Sequence, residues 1–121
     1  DNFKKINDQF GHDFGDEALI QLAKTFDKSI PKNAIASRWG GEEFLIVIPD
    51  ATVELGEQVA EKIHNALKAS VVSLFSDSTN ITLSIGVISA SAERSIDLDI
   101  KRADELLYKA KAQGKNRTCS S

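Results

Sequence analysis

A Gly-Gly step between two apolar-rich runs constrains the fold more than any other stretch of this sequence. Residues 37–48 read Ser-Arg-Trp-Gly-Gly-Glu-Glu-Phe-Leu-Ile-Val-Ile. This order predicts a β-hairpin with two acids, Glu42 and Glu43, at its bend. Because the second run is apolar on both faces, we expect its strand to be central in a sheet or covered on both sides.

The two acids at the bend are predicted to differ in role. Successive strand residues point to opposite faces, so we expect Glu42 to share a side with Phe44 and Ile46, and Glu43 to point away. Taken alone, Gly-Gly-Glu-Glu is typical of a solvated surface turn. The alternative is a site where the glycines let a phosphate approach the backbone and a carboxylate holds a divalent cation against it.

The composition indicates one soluble globular domain. The 121 residues are 41% hydrophobic and 27% charged, which is ordinary for a chain that buries one core. A net charge of −3 argues against a broad surface for nucleic acid, which needs a basic face. Cys119 is the single cysteine, so no disulfide can form within the chain. We see no membrane-spanning run and no signal peptide.

Apolar residues at helical spacing predict four helices. These run over residues 1–10, from the cap candidates 13–16 to Ile30, from Thr52 or Asp50 to Lys68, and over 97–112. Residues 71–75 and 81–87 read as strands around a turn at 76–80, which predicts a second hairpin.

The order of elements predicts an α+β fold, with a mainly antiparallel central sheet flanked by helices. Two helices open the chain before any strand, so we expect a first strand to be missing. The chain also begins without Met in a patterned segment. We therefore expect residues 1–121 to be a single domain that is an N-terminally incomplete piece of a longer protein.

Four groups of residues carry a resemblance that pattern reasoning alone does not supply. They are Asp1-x-Phe3-Lys4-x-Ile6-Asn7-Asp8-x-x-Gly11-His12-x-x-Gly15-Asp16, Arg38-Trp39-Gly40-Gly41-Glu42-Glu43-Phe44, Leu83-Ser84-Ile85-Gly86-Val87, and Arg102-Ala103-Asp104 with Tyr108-x-Ala110-Lys111-x-x-Gly114-Lys115-Asn116-Arg117. In this order they resemble the GGDEF domain of diguanylate cyclases, in its Gly-Gly-Glu-Glu-Phe variant.

This resemblance implies a fold similar to the palm of nucleotidyl cyclases and polymerases. It also implies condensation of two GTP molecules into cyclic di-GMP by a homodimer in which each site supplies one GTP, with Mg²⁺ or Mn²⁺ as cofactor. A cytoplasmic domain fused to an upstream sensory or regulatory domain is expected, in a parent that is either soluble or membrane-anchored. The alternative function is a non-catalytic GGDEF module that binds GTP or mediates dimerisation.

The resemblance assigns roles residue by residue. Asn7 and Asp16 match guanine-contacting positions, although Asp16 also suits a helix cap and Asn7 a solvated helix surface. Five residues match substrate-binding positions, namely Lys4, Lys111, Lys115, Gly40 and Gly41. Glu42 and Glu43 match catalytic and metal-binding positions. The lysines are alternatively ordinary surface residues, favourable in two cases at a helix C-terminus. His64 is expected to be exposed.

Two departures from the family pattern carry expectations. The first metal-binding aspartate of the family would lie two residues before Asp1, so we expect the 121-residue chain alone to be a weak or inactive enzyme. The Arg-x-x-Asp motif that binds inhibitory product would occupy positions where this sequence has Pro31 and Ala34. Feedback binding through that motif is expected to be absent.

Overall fold

Helices and short strands alternate along residues 1–74 and 77–121, the part of the chain that this computed structural model describes. The elements are α1 (Phe3–Phe10), α2 (His12–Ser29), β1 (Ile35–Gly40), β2 (Glu43–Val47), α3 (Val53–Lys68), β3 (Val72–Leu74), β4 (Asp77–Thr79), β5 (Ser84–Val87), α4 (Ile96–Ala112) and β6 (Arg117–Ser120). The α+β class is confirmed, and the four predicted helices are present. Three of them lie within two residues of their expected bounds, whereas α2 begins at His12, before its cap candidates at 13–16. No helix in these described ranges is long and apolar enough to cross a membrane.

The core lies where the apolar faces of α2 and α3 meet the hairpin. Each helix puts residues three and four positions apart on one side, and burying such a side chain contributes about 1.5–3 kcal/mol. The fully or nearly buried members from these two helices are Phe14, Ala18, Leu22, Phe26, Val59, Ile63 and Leu67, and Val72 and Ile81 complete the cluster. The Phe26 and Phe44 rings meet edge to face at 5.1 Å between centroids, which fastens β2 to α2.

The hairpin of β1 and β2 forms as predicted, but its second strand is not covered on both faces. Val47 is 48% exposed, and β1 is its hydrogen-bonded partner in the described part of the chain. The register pairs Gly40 with Glu43, so Glu42 lies in the turn and β2 starts one residue later. The expectation that strand alternation places Glu42 with Phe44 was therefore wrong, because a turn residue does not follow the strand period.

The second half of the sheet structure differs from the prediction. Val72–Leu74 forms a hairpin with Asp77–Thr79, where a turn was expected, while Phe75 and Ser76 lie outside the described residues. The strand predicted over 81–87 is shorter, Ser84–Val87, and pairs in parallel with Arg117–Ser120. That last strand was not predicted. A parallel partner must come from a crossover, here through α4, so nothing in the local pattern announces it.

Candidate functional site

The start of α1 and the loop after α4 meet at one place. The ammonium of Lys115 donates to the side-chain oxygen of Asn2 at 2.6 Å, and the backbone N–H of Asn116 donates to Asp1 Oδ2 at 3.1 Å. These contacts join residues more than 110 positions apart in sequence. Two segments that the motif analysis treated separately are therefore parts of one site.

The Asp1 carboxylate also reaches β5 and the residues just before it. Ser84 Oγ donates to Oδ1 at 2.7 Å and Thr82 Oγ1 donates to Oδ2 at 3.0 Å. The backbone nitrogen of Asp1 donates to the carbonyl oxygen of Thr82 at 3.0 Å. Sequence reasoning gave Asp1, Thr82 and Ser84 no role. The sequence contained a signal for Thr82 and Ser84. Residues two apart in the predicted 81–87 strand share a face, and both of these residues carry hydroxyls.

Charges from three parts of the chain surround this point. Burial lowers the pKa of the α-amino group of Asp1, Glu42 opposes that shift, and Lys111 and Lys115 add to it. The carboxylate of the hairpin turn and both lysines of the α4 end therefore lie within electrostatic range of Asp1. Lys111 and Lys115 are half-buried, whereas Glu42 is exposed. An acid beside two cations at an open surface suits a ligand that carries phosphates and a divalent ion.

The hairpin turn leaves its backbone open. Gly40 and Gly41 have φ values of +147° and +49°, and nothing lies within 4 Å of the position a Cβ would take at either residue. A side chain would be strained there, so glycine is required by conformation as well as by access. Arg38 holds the turn, since Nε and a terminal guanidinium nitrogen donate to the Gly41 carbonyl at 2.8 and 2.6 Å. This role of Arg38 was missed from the sequence.

The packing of α1 on α2 places Asn7 against Gly15, the residue before Asp16. A Cβ on Gly15, the residue before Asp16, would collide with the Asn7 amide oxygen. That oxygen is buried with no hydrogen-bond partner in the described part of the chain. Asp16 is exposed within α2, which begins at His12 with Gly11 as its N-cap, so the capping alternative for Asp16 does not hold. Its carboxylate is therefore available to a ligand.

The remaining assignments occupy different surroundings. Lys4 is exposed in the first turn of α1, and Glu43 is exposed at the first position of β2. His64 is half-buried rather than exposed as expected, because its Nε2 lies 2.9 Å from Thr118 Oγ1 and links α3 to β6. Sequence reasoning missed this link since β6 itself was not predicted.

The exposed acids of the turn are the oxygen donors that the sequence analysis assigned to a divalent cation. Within residues 1–74 and 77–121 no group of three or more His, Cys, Asp or Glu side chains forms a closed metal centre. Mg²⁺ is commonly held by one or two carboxylates plus substrate phosphates, so an exposed Glu42 with Glu43 beside it is compatible with such a site. Glu42 and Glu43 would be the protein ligands, and a triphosphate would supply the rest.

Comparisons with known proteins identify the family and the fold. Residues 1–117 match the family described as diguanylate cyclase, GGDEF domain. A diguanylate cyclase of Vibrio cholerae is 44% identical over 120 residues, covering 98% of this chain and 37% of the relative. Overall, the chain spans 17–37% of the length of such curated relatives.

Two solved structures share the fold over nearly the whole chain. The active GGEEF domain of a Vibrio cholerae diguanylate cyclase superposes with a TM-score of 0.89 at 43% identity, covering 99% of this chain and 76% of that one. The GGDEF domain of DgcB from Caulobacter crescentus, solved with c-di-GMP, gives a TM-score of 0.93 at 28% identity, covering 99% and 72%. The fold implied by the sequence motifs is thereby confirmed.

Proposed function

The chain belongs to the GGDEF family of diguanylate cyclase domains, and on that basis we propose that it condenses two GTP molecules into cyclic di-GMP with a divalent cation as cofactor. The observation that carries the proposal is the contact of Lys115 and Asn116 with Asn2 and Asp1, at a point where Glu42, Lys111 and Lys115 all act electrostatically on the α-amino group of Asp1. An acid and two cations from separate segments at one open surface provide what a metal-bound triphosphate requires.

The lysines hold the triphosphate. Lys111 and Lys115 come from the last turn of α4 and the loop after it, and Lys4 from the first turn of α1. Three ammonium groups offer point charges that neutralise phosphate oxygens without demanding one fixed geometry. The open backbone at Gly40 and Gly41 lets the phosphates approach the turn closely.

We assign to the Glu42 carboxylate the role of acting on the reacting 3′-hydroxyl. In the proposed reaction the 3′-oxygen of one GTP forms a bond to the α-phosphorus of the other, and the bond to pyrophosphate breaks. Glu42 accepts the proton of the 3′-hydroxyl as the new bond forms. A bound Mg²⁺ or Mn²⁺ would supply charge neutralisation at the α-phosphate. Glu43, the next residue, has a secondary role as a metal ligand or a hydrogen-bond acceptor.

Asn7 and Asp16 form the proposed guanine pocket. A carboxylate accepts from the ring N–H and exocyclic amine that guanine presents and adenine does not, and an amide can serve both a donor and an acceptor. The exposure of Asp16 and its position next to Gly15, against Asn7, support this role. Discrimination against ATP follows because adenine lacks these two donors and would leave the Asp16 carboxylate unmatched.

Two copies of the chain complete one reaction. A single site with one set of phosphate-binding lysines holds one GTP, so the attacking and the attacked nucleotides sit on different copies, facing each other. We place the reaction in the cytoplasm, where GTP is the available substrate. An upstream domain, sensory or regulatory, would act by favouring or preventing this pairing.

Mass spectrometry of the full-length parent protein, which contains the upstream residues, incubated with GTP and Mg²⁺ tests the proposal. A product with the mass of cyclic di-GMP is expected, and its yield should fall about 100-fold or more in Glu42→Gln, where the proton acceptor is lost. Glu57→Gln, an exposed acid on α3, is the matched control and should leave the yield unchanged. GTP that binds and stays unconverted would instead identify a non-catalytic GTP-binding module.

A further inference from the structure

The loop between α4 and β6 adopts an unfavourable backbone. Gly114, Lys115 and Asn116 follow one another with φ values of +120°, +64° and +50°. Left-handed conformations cost residues with a Cβ roughly 1–2 kcal/mol each, and they persist only where surrounding contacts impose them. Asn2, which receives the Lys115 ammonium, is itself left-handed at φ +57°. Strained residues from both ends of the chain thus meet at the same contact.

The Asp1 carboxylate supplies contacts that can impose this backbone. Its Oδ2 accepts from the Asn116 N–H at 3.1 Å, inside the strained loop. The hydroxyls of Thr82 and Ser84 fix the same carboxylate from β5 and the residues before it. Thr82 and Ser84 therefore fix the Asp1 carboxylate, and the same carboxylate holds the loop through the Asn116 N–H.

We propose that Asp1 is a positioning residue, whose carboxylate holds the Gly114–Asn116 loop so that the Lys115 ammonium is presented to the substrate triphosphate. This inference rests on the proposed function, since it assumes that Lys115 binds phosphate. Of the three N–H donors of that ammonium, one is used by Asn2 at 2.6 Å. The other two are left for phosphate oxygens.

The pattern of donors separates this role from metal binding. All three side-chain contacts of Asp1 are made with hydrogen-bond donors, and two of them converge on Oδ2. An asparagine can reproduce this set: its oxygen accepts from Asn116 and Thr82, while its amide nitrogen donates to the Ser84 hydroxyl, which can also accept. A metal ligand would not survive the same substitution, because the amide carries no negative charge.

The test compares Asp1→Ala with Asp1→Asn in the full chain, measuring the Kd of a non-hydrolysable GTP analogue with Mg²⁺ by calorimetry. We expect Asp1→Ala to weaken binding about tenfold, the worth of a net hydrogen bond to a charged group, and Asp1→Asn to stay near wild type. Asp27→Ala, an exposed aspartate on α2, is the matched control. Equal losses in Asp1→Ala and Asp1→Asn would overturn the proposal in favour of a charge or metal role.

A double-mutant cycle tests whether Asp1 acts through Lys115. In a Lys115→Ala background the effect of Asp1→Ala should disappear, because the group being positioned is gone. Additive losses would overturn the proposal. If Asp1→Ala does not fold, Ser84→Ala removes one of the three contacts and should give a smaller loss in the same direction.

Hydrogen exchange of the Asn116 amide keeps this inference separate from the proposed function. We expect the exchange to be about tenfold faster in Asp1→Ala than in wild type or Asp1→Asn, because the amide loses its acceptor. An unchanged rate in Asp1→Ala would overturn the loop-holding role, whatever the chain binds. A wild-type chain that does not bind the GTP analogue would instead show that the proposed function is wrong.

Discussion

Asn7 and Gly15 show how a single atom shapes the candidate guanine pocket. The Asn7 amide oxygen occupies the space beside Gly15 that a methyl group would take, and it is buried without a hydrogen-bond partner among the described residues. A buried amide oxygen left unpaired costs about 1–3 kcal/mol. The close approach of α1 to α2 therefore holds Asn7 in one position at a cost in stability, next to Asp16.

Gly15→Ala is expected to destabilise the fold although alanine is the better helix former. By propensity alone the change within α2 would stabilise by about 1 kcal/mol, but the new methyl group collides with the Asn7 side chain. In an Asn7→Ala background the collision with the amide is removed and the sign should reverse. Chemical denaturation of the four proteins measures this. A Gly15→Ala that stabilises the wild-type chain would contradict the packing described.

Asp16→Asn is expected to weaken GTP binding by about 1.5–3 kcal/mol, the range for a hydrogen bond to a charged group. The loss should be specific for guanine, so affinity for ATP should change little. Calorimetry with both nucleotides measures the difference, and Asp27→Asn on the same helix is the control. Unchanged GTP affinity in a folded Asp16→Asn protein would remove Asp16 from the pocket.

At the scale of elements, the segment that leads into β1 bears on whether cyclic di-GMP is expected to bind this chain. Pro31 and Ala34 stand where the family motif has Arg and Asp, and the Ala34 N–H donates to the Pro31 carbonyl at 3.0 Å in a tight turn. Proline and alanine offer neither guanidinium nor carboxylate to a nucleotide. The turn is therefore closed on itself by backbone contacts.

Cyclic di-GMP should not bind at residues 31–34 of this chain. We expect GTP turnover to be insensitive to added product at concentrations that inhibit a Pro31→Arg, Ala34→Asp variant, in which the motif is restored. Initial rates measured against added cyclic di-GMP compare the two proteins. A crystal of the wild-type chain with the product stacked on this segment would refute the expectation.

The contact between α3 and β6 makes stability depend on pH. Burial lowers the pKa of His64 below its ordinary value of 6.5, opposed by Glu61 on the same helix. The folded chain therefore binds a proton at His64 less readily than the unfolded chain. The stability gained by keeping His64 neutral in the fold is fully present above about pH 6.5, the pKa of the unfolded chain. It is lost as the pH falls from there through the lowered pKa of the folded chain.

His64→Gln should reduce the loss of stability between pH 7.5 and pH 5 while keeping a hydrogen-bonding group near Thr118. Urea denaturation at the two pH values measures the difference in unfolding free energy. His12→Gln, an exposed histidine at the start of α2, is the control. A pH dependence of the His64→Gln protein equal to that of wild type would show that His64 does not carry this effect.

At the scale of the whole molecule, the core and the site occupy different parts of the chain. The buried residues come mainly from α2 and α3, whereas the site gathers α1, the hairpin turn and the end of α4. Phe44 on β2 connects the two, because its ring packs on Phe26 of the core two residues after Glu42. Replacing Phe26 with a smaller residue would therefore disturb the hairpin turn as well as lower the stability of the fold.

The total rate of cyclic di-GMP formation is expected to rise with the square of protein concentration when the chain is mostly monomeric. Each copy holds one GTP, so the reacting pair forms only in a dimer. Rates measured over a dilution series test this. At concentrations where the chain is mostly dimeric, an excess of Glu42→Gln protein should draw wild-type copies into mixed dimers and lower the rate. A rate strictly proportional to concentration throughout would contradict a reaction shared between weakly associated copies.

Elements that depend on near neighbours in sequence were determined by the sequence itself. The four helices follow the spacing of apolar residues, since each backbone hydrogen bond spans four positions, and Thr52 caps α3 as expected by accepting from the Leu55 N–H at 3.2 Å. The β1–β2 hairpin likewise follows from its Gly-Gly turn. The motif residues also indicated the family, because the chemistry of guanine and phosphate binding limits which side chains can stand at those positions.

Contacts between distant segments were decided only by the tertiary structure. The parallel pairing of β5 with β6 joins residues 84–87 to 117–120, and this choice depends on how α4 packs across the strands. The Asp1 contacts to Thr82, Ser84 and Asn116 depend on the same packing. Sequence patterns report which face of an element is apolar, whereas the meeting of two elements depends on the free energy of the whole packed core. The electrostatic influence of Glu42, Lys111 and Lys115 on the same end of the chain at Asp1 arises for that reason.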